Sequence, residues 1–139
     1  MSRLRAMLIR HEGLRLKPYR DSESKLTIGV GRNLDDEGIT RAEALMLLDN
    51  DIATVQRDVK RAFAWFPGLD PVRKDVVLDM VFNLGLPGFR RFKKTIASIS
   101  AGDWENAARE MLKSRWANQV GKRATELAAM MERGKYEVS

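Results

Sequence analysis

From Thr40 to about Arg61 the chain carries one long amphipathic helix signal, and everything else must be arranged around it. Thr40 is the N-cap and Glu43, three residues on, completes a capping box in which each side chain answers the other's backbone N–H. Leu45, Leu48, Ile52, Val55, Val59 and Ala62 then recur at alternating steps of three and four. At 1.5 Å per residue such a helix spans roughly 30 Å, long enough to bridge two lobes. Pro67 and Gly68 close the segment that follows it.

Ahead of this helix, Arg3 to Glu12 reads as a short helix ended by Gly13. Leu4, Leu8 and Glu12 are spaced four apart on one face, so a glutamate ends an apolar row where a core meets solvent. Between Lys17 and Leu34 the period changes. Pro18, the polar cluster Asp21-Ser22-Glu23-Ser24 and the glycines Gly29 and Gly31 punctuate the segment, while Leu26, Ile28 and Val30 alternate as a half-buried strand after a turn. Leu26, Ile28 and Val30 are expected to face a small core. Thr27, Gly29 and Gly31 share the other face, which glycine empties so that a backbone or a ligand can approach closely.

Behind the long helix, Asp70-Pro71 is a second start signal, an N-cap followed by proline at the first helical position. Val72 to Leu84 is apolar on nearly all sides and predicts a helix buried in a bundle, broken by Gly85-Leu86-Pro87-Gly88. Shorter helices are expected at about Phe89–Ser98, Asp103–Leu112 and Lys122–Glu132, with Gly134 after the last. The expected fold is α+β and mostly α. A small β-hairpin lobe, about residues 13–45, is joined by the helix of residues 40–62 to a helical lobe of about residues 63–139, which also takes the N-terminal helix. The 139 residues suit one domain.

Glu12, Asp21 and Thr27 stand out against this layout. A hairpin folding back toward the helix end can gather them around one cleft. Two carboxyls in unlike settings suit acid–base work on an acetal, with the glutamate as proton donor and the aspartate stabilising charge or orienting a water. Thr27 can hold that water by its hydroxyl. The same residues also fit a helix-end charge, a turn former and an ordinary strand residue, and spacing alone leaves both readings open.

Glu12-Gly13, Tyr19, Asp21 and Thr27-Ile28-Gly29-Val30-Gly31 resemble the signature of the tailed-phage lysozymes of the T-even type, glycoside hydrolase family 24, with the acid, aspartate and threonine nine and six residues apart. Asp79-Met80-Val81-Phe82-Asn83 is similar to that family's central-helix segment. Asp103-Trp104-Glu105-Asn106-Ala107-Ala108 and Lys113-Ser114-Arg115-Trp116-Ala117-Asn118-Gln119 match two further stretches, with Arg123 in register. The likeness covers nearly the whole chain except the middle of the small lobe. There Arg32 to Ile39 is shorter than in the longer relatives, and Arg32 stands where histidine is frequent.

The resemblance implies a lysozyme-like fold and hydrolysis of the β-1,4 bond between N-acetylmuramic acid and N-acetylglucosamine in peptidoglycan, with inversion. It assigns Glu12 as general acid, Asp21 and Thr27 to the attacking water, and Arg123 as an arginine that pairs with the glutamate. Asn33, Phe82, Asn83, Thr95, Ser114 and Arg115 fall at substrate-binding positions, although core packing explains Phe82 equally well. Trp104 and Trp116 are expected in the core; Trp65 stays open between packing and sugar stacking. No metal or cofactor is implied. The resemblance further implies a monomer held in the host bacterial cytoplasm until a separate phage protein, a holin, opens the membrane, after which it acts on the cell wall.

Composition agrees with this by exclusion. There is no cysteine, so no disulfide framework, thiol nucleophile or cysteine-bound metal, and the single His11 rules out a multi-histidine site. No apolar run approaches the roughly 18 residues needed to cross a membrane, and Arg3, Arg5 and Arg10 interrupt any secretory leader. Neither a stable membrane insertion nor a leader is expected. The formal charge of +6 leaves nucleic acid, phospholipid and wall polymer open. No nucleic-acid-binding motif accompanies it, and beside the proposed triad it reads as attraction to an anionic bacterial envelope. The competing expectations are a lytic transglycosylase acting on the same bond, a wall-binding module without catalysis, and a basic helical nucleic-acid-binding protein.

Overall fold

Ser2 begins the described part of the chain, residues 2–137 of a computed structural model, by accepting the Arg5 amide at 3.0 Å and capping α1 (Arg3–Glu12). Gly13, at φ +81°, ends that helix with its N–H on the Ile9 carbonyl. Backbone contacts divide the chain into two units, Met1–Leu48 and Asp49–Ser139.

The first unit holds α1, three antiparallel strands in the order β1 (Arg15–Arg20), β2 (Leu26–Gly29) and β3 (Arg32–Asn33), and the start of α2 (Arg41–Ala62). Tyr19 pairs with Thr27 and Thr27 with Asn33, so Thr27 is flanked on both sides in the central strand. The β1–β2 register shifts between Arg15 and Tyr19, around Pro18. Proline has no N–H for a ladder, and the edge strand is where it is tolerated. The burial of β2 corrects the expected alternation. Thr27, at 3% exposed, is its buried residue, whereas Leu26 and Ile28 are half-buried and Val30 is exposed. A three-stranded sheet with a two-residue third strand covers its central residue from the sides before it covers a whole face.

The expected capping box is present. The Thr40 amide donates to Glu43 Oε1 at 2.8 Å and the Glu43 amide to Thr40 Oγ1 at 3.1 Å. The apolar row behind it is buried only in its second half: Val59 is fully buried and Val55 packs on the core, but Leu45, Leu48 and Ile52 are exposed. Leu45 and Leu48 belong to the 48-residue first unit, which has too little apolar surface to cover all its own, and Ile52 stands just past its boundary.

The second unit is helical. A 3-10 turn (Phe66–Gly68) precedes α3 (Pro71–Arg90), α4 (Lys93–Ser100), α5 (Trp104–Lys113), α6 (Arg115–Val120) and α7 (Lys122–Arg133). The core forms around Val76, Val77 and Met80 of α3 with Phe89, Ile99, Met111, Leu127 and Met131. Where a break was expected, α3 is kinked at Gly85 (φ 76°, ψ 159°), and Pro87 sits in the short helical piece beyond it. Phe89 therefore closes α3 fully buried, and α4 begins only at Lys93. Arg73 ties the first turn of α3 to the end of α7. It donates to the Met131 and Glu132 carbonyls at 2.6 and 2.9 Å, pairs with Asp70 at 3.0 Å and lies 4.2 Å from the Trp104 ring centroid. Burial raises the Asp70 carboxyl, but the Arg73 amide and guanidinium outweigh it and hold it below its ordinary value.

Candidate active site

The proposed acid stands at the end of α1. Glu12 is exposed, and its carboxyl reaches over the β2–β3 turn, where a Cβ on Gly31 would lie 3.0 Å from Glu12 Oε2. Gly31 has φ +70°, a conformation open to glycine at no steric cost. Where a backbone or a ligand was expected to approach the glycine face, the group that approaches Gly31 is the Glu12 side chain, and nothing lies within 4 Å of a Cβ at Gly29.

Asp21 and Thr27 are linked through one residue of the hairpin turn. Asp21 Oδ1 accepts the Lys25 amide at 2.8 Å and the Glu23 amide at 2.9 Å, while Thr27 Oγ1 donates to the Lys25 carbonyl at 2.9 Å. Asp21 is therefore a turn former as well as a candidate base. Among the described residues its Oδ2 accepts no hydrogen bond. Because the Thr27 hydroxyl proton is committed to Lys25, its oxygen faces any other partner as an acceptor.

Arg32 braces this unit, a part that spacing did not reveal. Its guanidinium grips Glu43 through two bonds of 2.8 and 2.9 Å and reaches the Gly38 carbonyl at 3.2 Å. Hydrogen bonds from Arg32, then from Thr40, hold the Glu43 carboxyl at about 2, and the same pair raises the guanidinium above its ordinary value. The short segment after β3 closes on the hairpin through aspartates. Asp35 accepts the Leu26 amide at 2.8 Å, and Asp36 pairs with Lys25 at 3.1 Å. Asn33 serves the same closure, its carboxamide engaging both the amide and the carboxylate of Asp36.

The other residues expected to touch substrate belong to the second unit, and several have structural partners. Asn83 Oδ1 accepts the indole N–H of the buried Trp116 at 2.8 Å. Ser114 ends α5 and caps α6, accepting the Ala117 amide at 3.2 Å. It also lines a groove of about 390 Å³ with the buried Thr95, Phe92, Lys94, Glu110 and Lys113. Arg115 begins α6 and is exposed. Phe82 is 46% exposed and thus outside the core, beside a second groove of about 310 Å³ with Asp51, Thr54, Asp58 and Leu86. Arg123 donates Nε–H to Asp79 Oδ1 at 2.8 Å, an α3 partner that sequence reasoning did not assign. Among the described residues no three His, Asp or Glu side chains gather where a metal ion could be held, and no helix is long and apolar enough to cross a membrane.

A family model described as phage lysozyme matches residues 9–137, nearly the whole described chain. The chain belongs to the phage lysozyme family. It is a glycoside hydrolase of the lysozyme class. A probable T4-type lysozyme of Dictyostelium discoideum is 26% identical over 163 residues, with 96% of each chain covered. An endolysin from a phage of an Acyrthosiphon pisum secondary endosymbiont is 30% identical, over 94% of this chain and 89% of its own. The pre-baseplate central spike protein Gp5 of Enterobacteria phage T4 is also 30% identical across 94% of this chain, which spans only 28% of that much longer protein. Within this phage lysozyme family member, the matched region takes in Glu12, Asp21 and Thr27 together with Arg123.

Proposed function

We propose that this chain acts as one lysozyme domain that hydrolyses the β-1,4 bond between N-acetylmuramic acid and N-acetylglucosamine of peptidoglycan, with inversion. The observation that carries the assignment is the hairpin itself, which seats the Glu12 carboxyl over Gly31 and ties Asp21 and Thr27 to the same residue, Lys25. Glu12 delivers its proton to the glycosidic oxygen as the bond to C1 breaks. A water donates one proton toward Thr27 Oγ1 and the other to Asp21 Oδ2, and its oxygen attacks C1 from the opposite face. The leaving sugar keeps the Glu12 proton, Asp21 takes the proton of the water, and exchange with solvent resets both carboxyls. The resemblance assigns Arg123 to the acid as a supporting cation, and the partner the structure gives its guanidinium is Asp79. Asn33, Phe82, Asn83, Thr95, Ser114 and Arg115 line the substrate, the groove at Thr95 and Ser114 taking its peptide stem.

In the cell this activity serves phage-induced lysis. A monomer waits in the host cytoplasm, passes a membrane opened by a holin and is drawn to the anionic envelope. The test is the clearing of a purified peptidoglycan suspension by wild type and Glu12→Gln. Wild type clears it, and the substitution slows clearing by about two orders of magnitude or more, the usual size of a general-acid effect. Equal clearing by both proteins sinks the acid assignment. Anhydro rather than reducing muramic ends replace hydrolysis by transglycosylation, and retention at the first-formed anomer removes the inverting step.

A further inference from the structure

Trp65 packs against the core but is only half-buried, and the proposed hydrolysis does not use it. It stacks on Phe63 with centroids 4.8 Å apart and planes 25° from parallel, and Phe63 in turn meets the fully buried Phe89 edge-on at 5.6 Å. The two rings form a shelf anchored in the second unit's core, along one wall of an open groove of about 500 Å³. Arg90 and Lys93 stand over the groove, the last residue of α3 and the first of α4, with Arg90 6.0 Å from the Phe63 centroid. Neither makes an ion pair or side-chain hydrogen bond among the described residues, and no carboxylate lines the groove. Ile96, Ala97 and the Ser100 hydroxyl complete it.

We infer that this groove binds an acidic saccharide of the bacterial wall, a sugar ring carrying a carboxylate or a phosphate. The apolar face of a pyranose lies on the aromatic shelf, the anion meets Arg90 and Lys93, and Ser100 takes a ring hydroxyl. Two cations three residues apart match one anionic substituent; a nucleic-acid strand calls for a longer basic track with successive stacking platforms. Phe63 and Trp65 already stack on each other, which leaves a single outer platform. The choice of a wall saccharide rests on the peptidoglycan reading; the site uses none of the residues named for hydrolysis, and only Lys93 is shared with the lining of the Thr95–Ser114 groove.

The experiment follows the Trp65 indole N–H by nitrogen-15 NMR, its signal assigned by its loss in Trp65→Phe. The probes are N-acetylglucosaminyl-N-acetylmuramic acid for the carboxylate, N-acetylglucosamine 1-phosphate for the phosphate and neutral diacetylchitobiose. The Trp65 signal is expected to move saturably with an acidic probe and far less with the neutral one. Tighter saturation by either acidic probe supports the inference and identifies the source of the anion. In the double variant Arg90→Glu/Lys93→Glu, with its melting temperature checked, acidic-probe affinity falls about tenfold, the scale of one charge-assisted hydrogen bond. An unmoved Trp65, an equal response to neutral sugar, undiminished binding by the folded double variant, or tighter binding of duplex DNA or anionic vesicles overturns it. None of these readings needs turnover, so wall clearing judges the hydrolase assignment separately.

Discussion

At Gly31, backbone conformation and the proposed acid make the same demand. An alanine there must adopt φ +70° and push its Cβ to 3.0 Å from Glu12 Oε2. Gly29, at φ +69° with nothing within 4 Å of where a Cβ would stand, is the natural control because it carries the backbone strain without the contact. Both alanine substitutions are expected to cost about 1–2 kcal/mol in thermal unfolding. Only Gly31→Ala displaces the acid, and a shift of a fraction of an ångström slows wall clearing by about tenfold; equal rates for the two variants would show that the contact is irrelevant. Thr27 separates in the same way. Thr27→Ser keeps the bond to the Lys25 carbonyl, whereas Thr27→Val removes it, costing about 1 kcal/mol of stability and, on the proposed mechanism, the hold on the water. Clearing that survives in Thr27→Val refutes that role. Spacing singles out Glu12, Asp21 and Thr27 in the sequence but leaves them open between a site and ordinary helix-end, turn and strand residues, and their proposed roles come from the family resemblance. Spacing does not separate Asn33, Asn83 and Ser114 into ligands and props, because a carboxamide or hydroxyl is the same group whether it meets substrate or a distant backbone. Asn83 finds Trp116 33 positions away, and nothing local signals the pair.

Among the elements, the link between β3 and α2 is the most strongly braced, and its brace titrates. Glu43 answers Thr40 at the helix start and Arg32 from the sheet, which together lower its carboxyl from 4.5 to about 2. The sign follows from linkage. The unfolded chain protonates Glu43 near its ordinary value and the folded chain only near 2, so the contribution is full above the ordinary value and is lost as pH falls through about 2. A carbon-13 titration of the Glu43 carboxyl should therefore place its midpoint near 2 in wild type and well above it in Arg32→Gln, with faster Thr40 amide exchange as it protonates. An unchanged midpoint in Arg32→Gln would assign the shift to the capping box alone. The strong signals are readable because capping and punctuation are local: Thr40 with Glu43, Asp70 before Pro71, Gly13 and Gly134. Six-residue α6 is not, since it is shorter than two helical turns and presents no period to detect. The bend at Gly85 was visible as a break, but the helical piece after it was hidden by Pro87, which only a first turn tolerates.

Over the whole molecule, charge is the property no single residue carries. The first 48 residues hold nine Lys and Arg against seven Asp and Glu, and the remaining 91 hold sixteen against twelve, so both units are positive. That excess alone suited DNA, lipid or wall polymer equally; family membership and the hairpin geometry turn it toward the wall. Long-range attraction of this kind raises the rate of encounter with an anionic polymer and is screened by salt. The Debye length falls from about 10 Å at 0.1 M to about 3 Å at 1 M salt, which confines each charge to its immediate neighbours. Clearing of peptidoglycan should slow steadily as salt rises across that range, while turnover of a short neutral oligosaccharide changes little, because its encounter owes nothing to charge. Since the excess is spread over both units, no one Lys or Arg substitution should abolish the effect, and each should shallow it slightly. A clearing rate that ignores salt, or one that collapses on removing a single cation, would locate the attraction in a specific contact instead of the overall field.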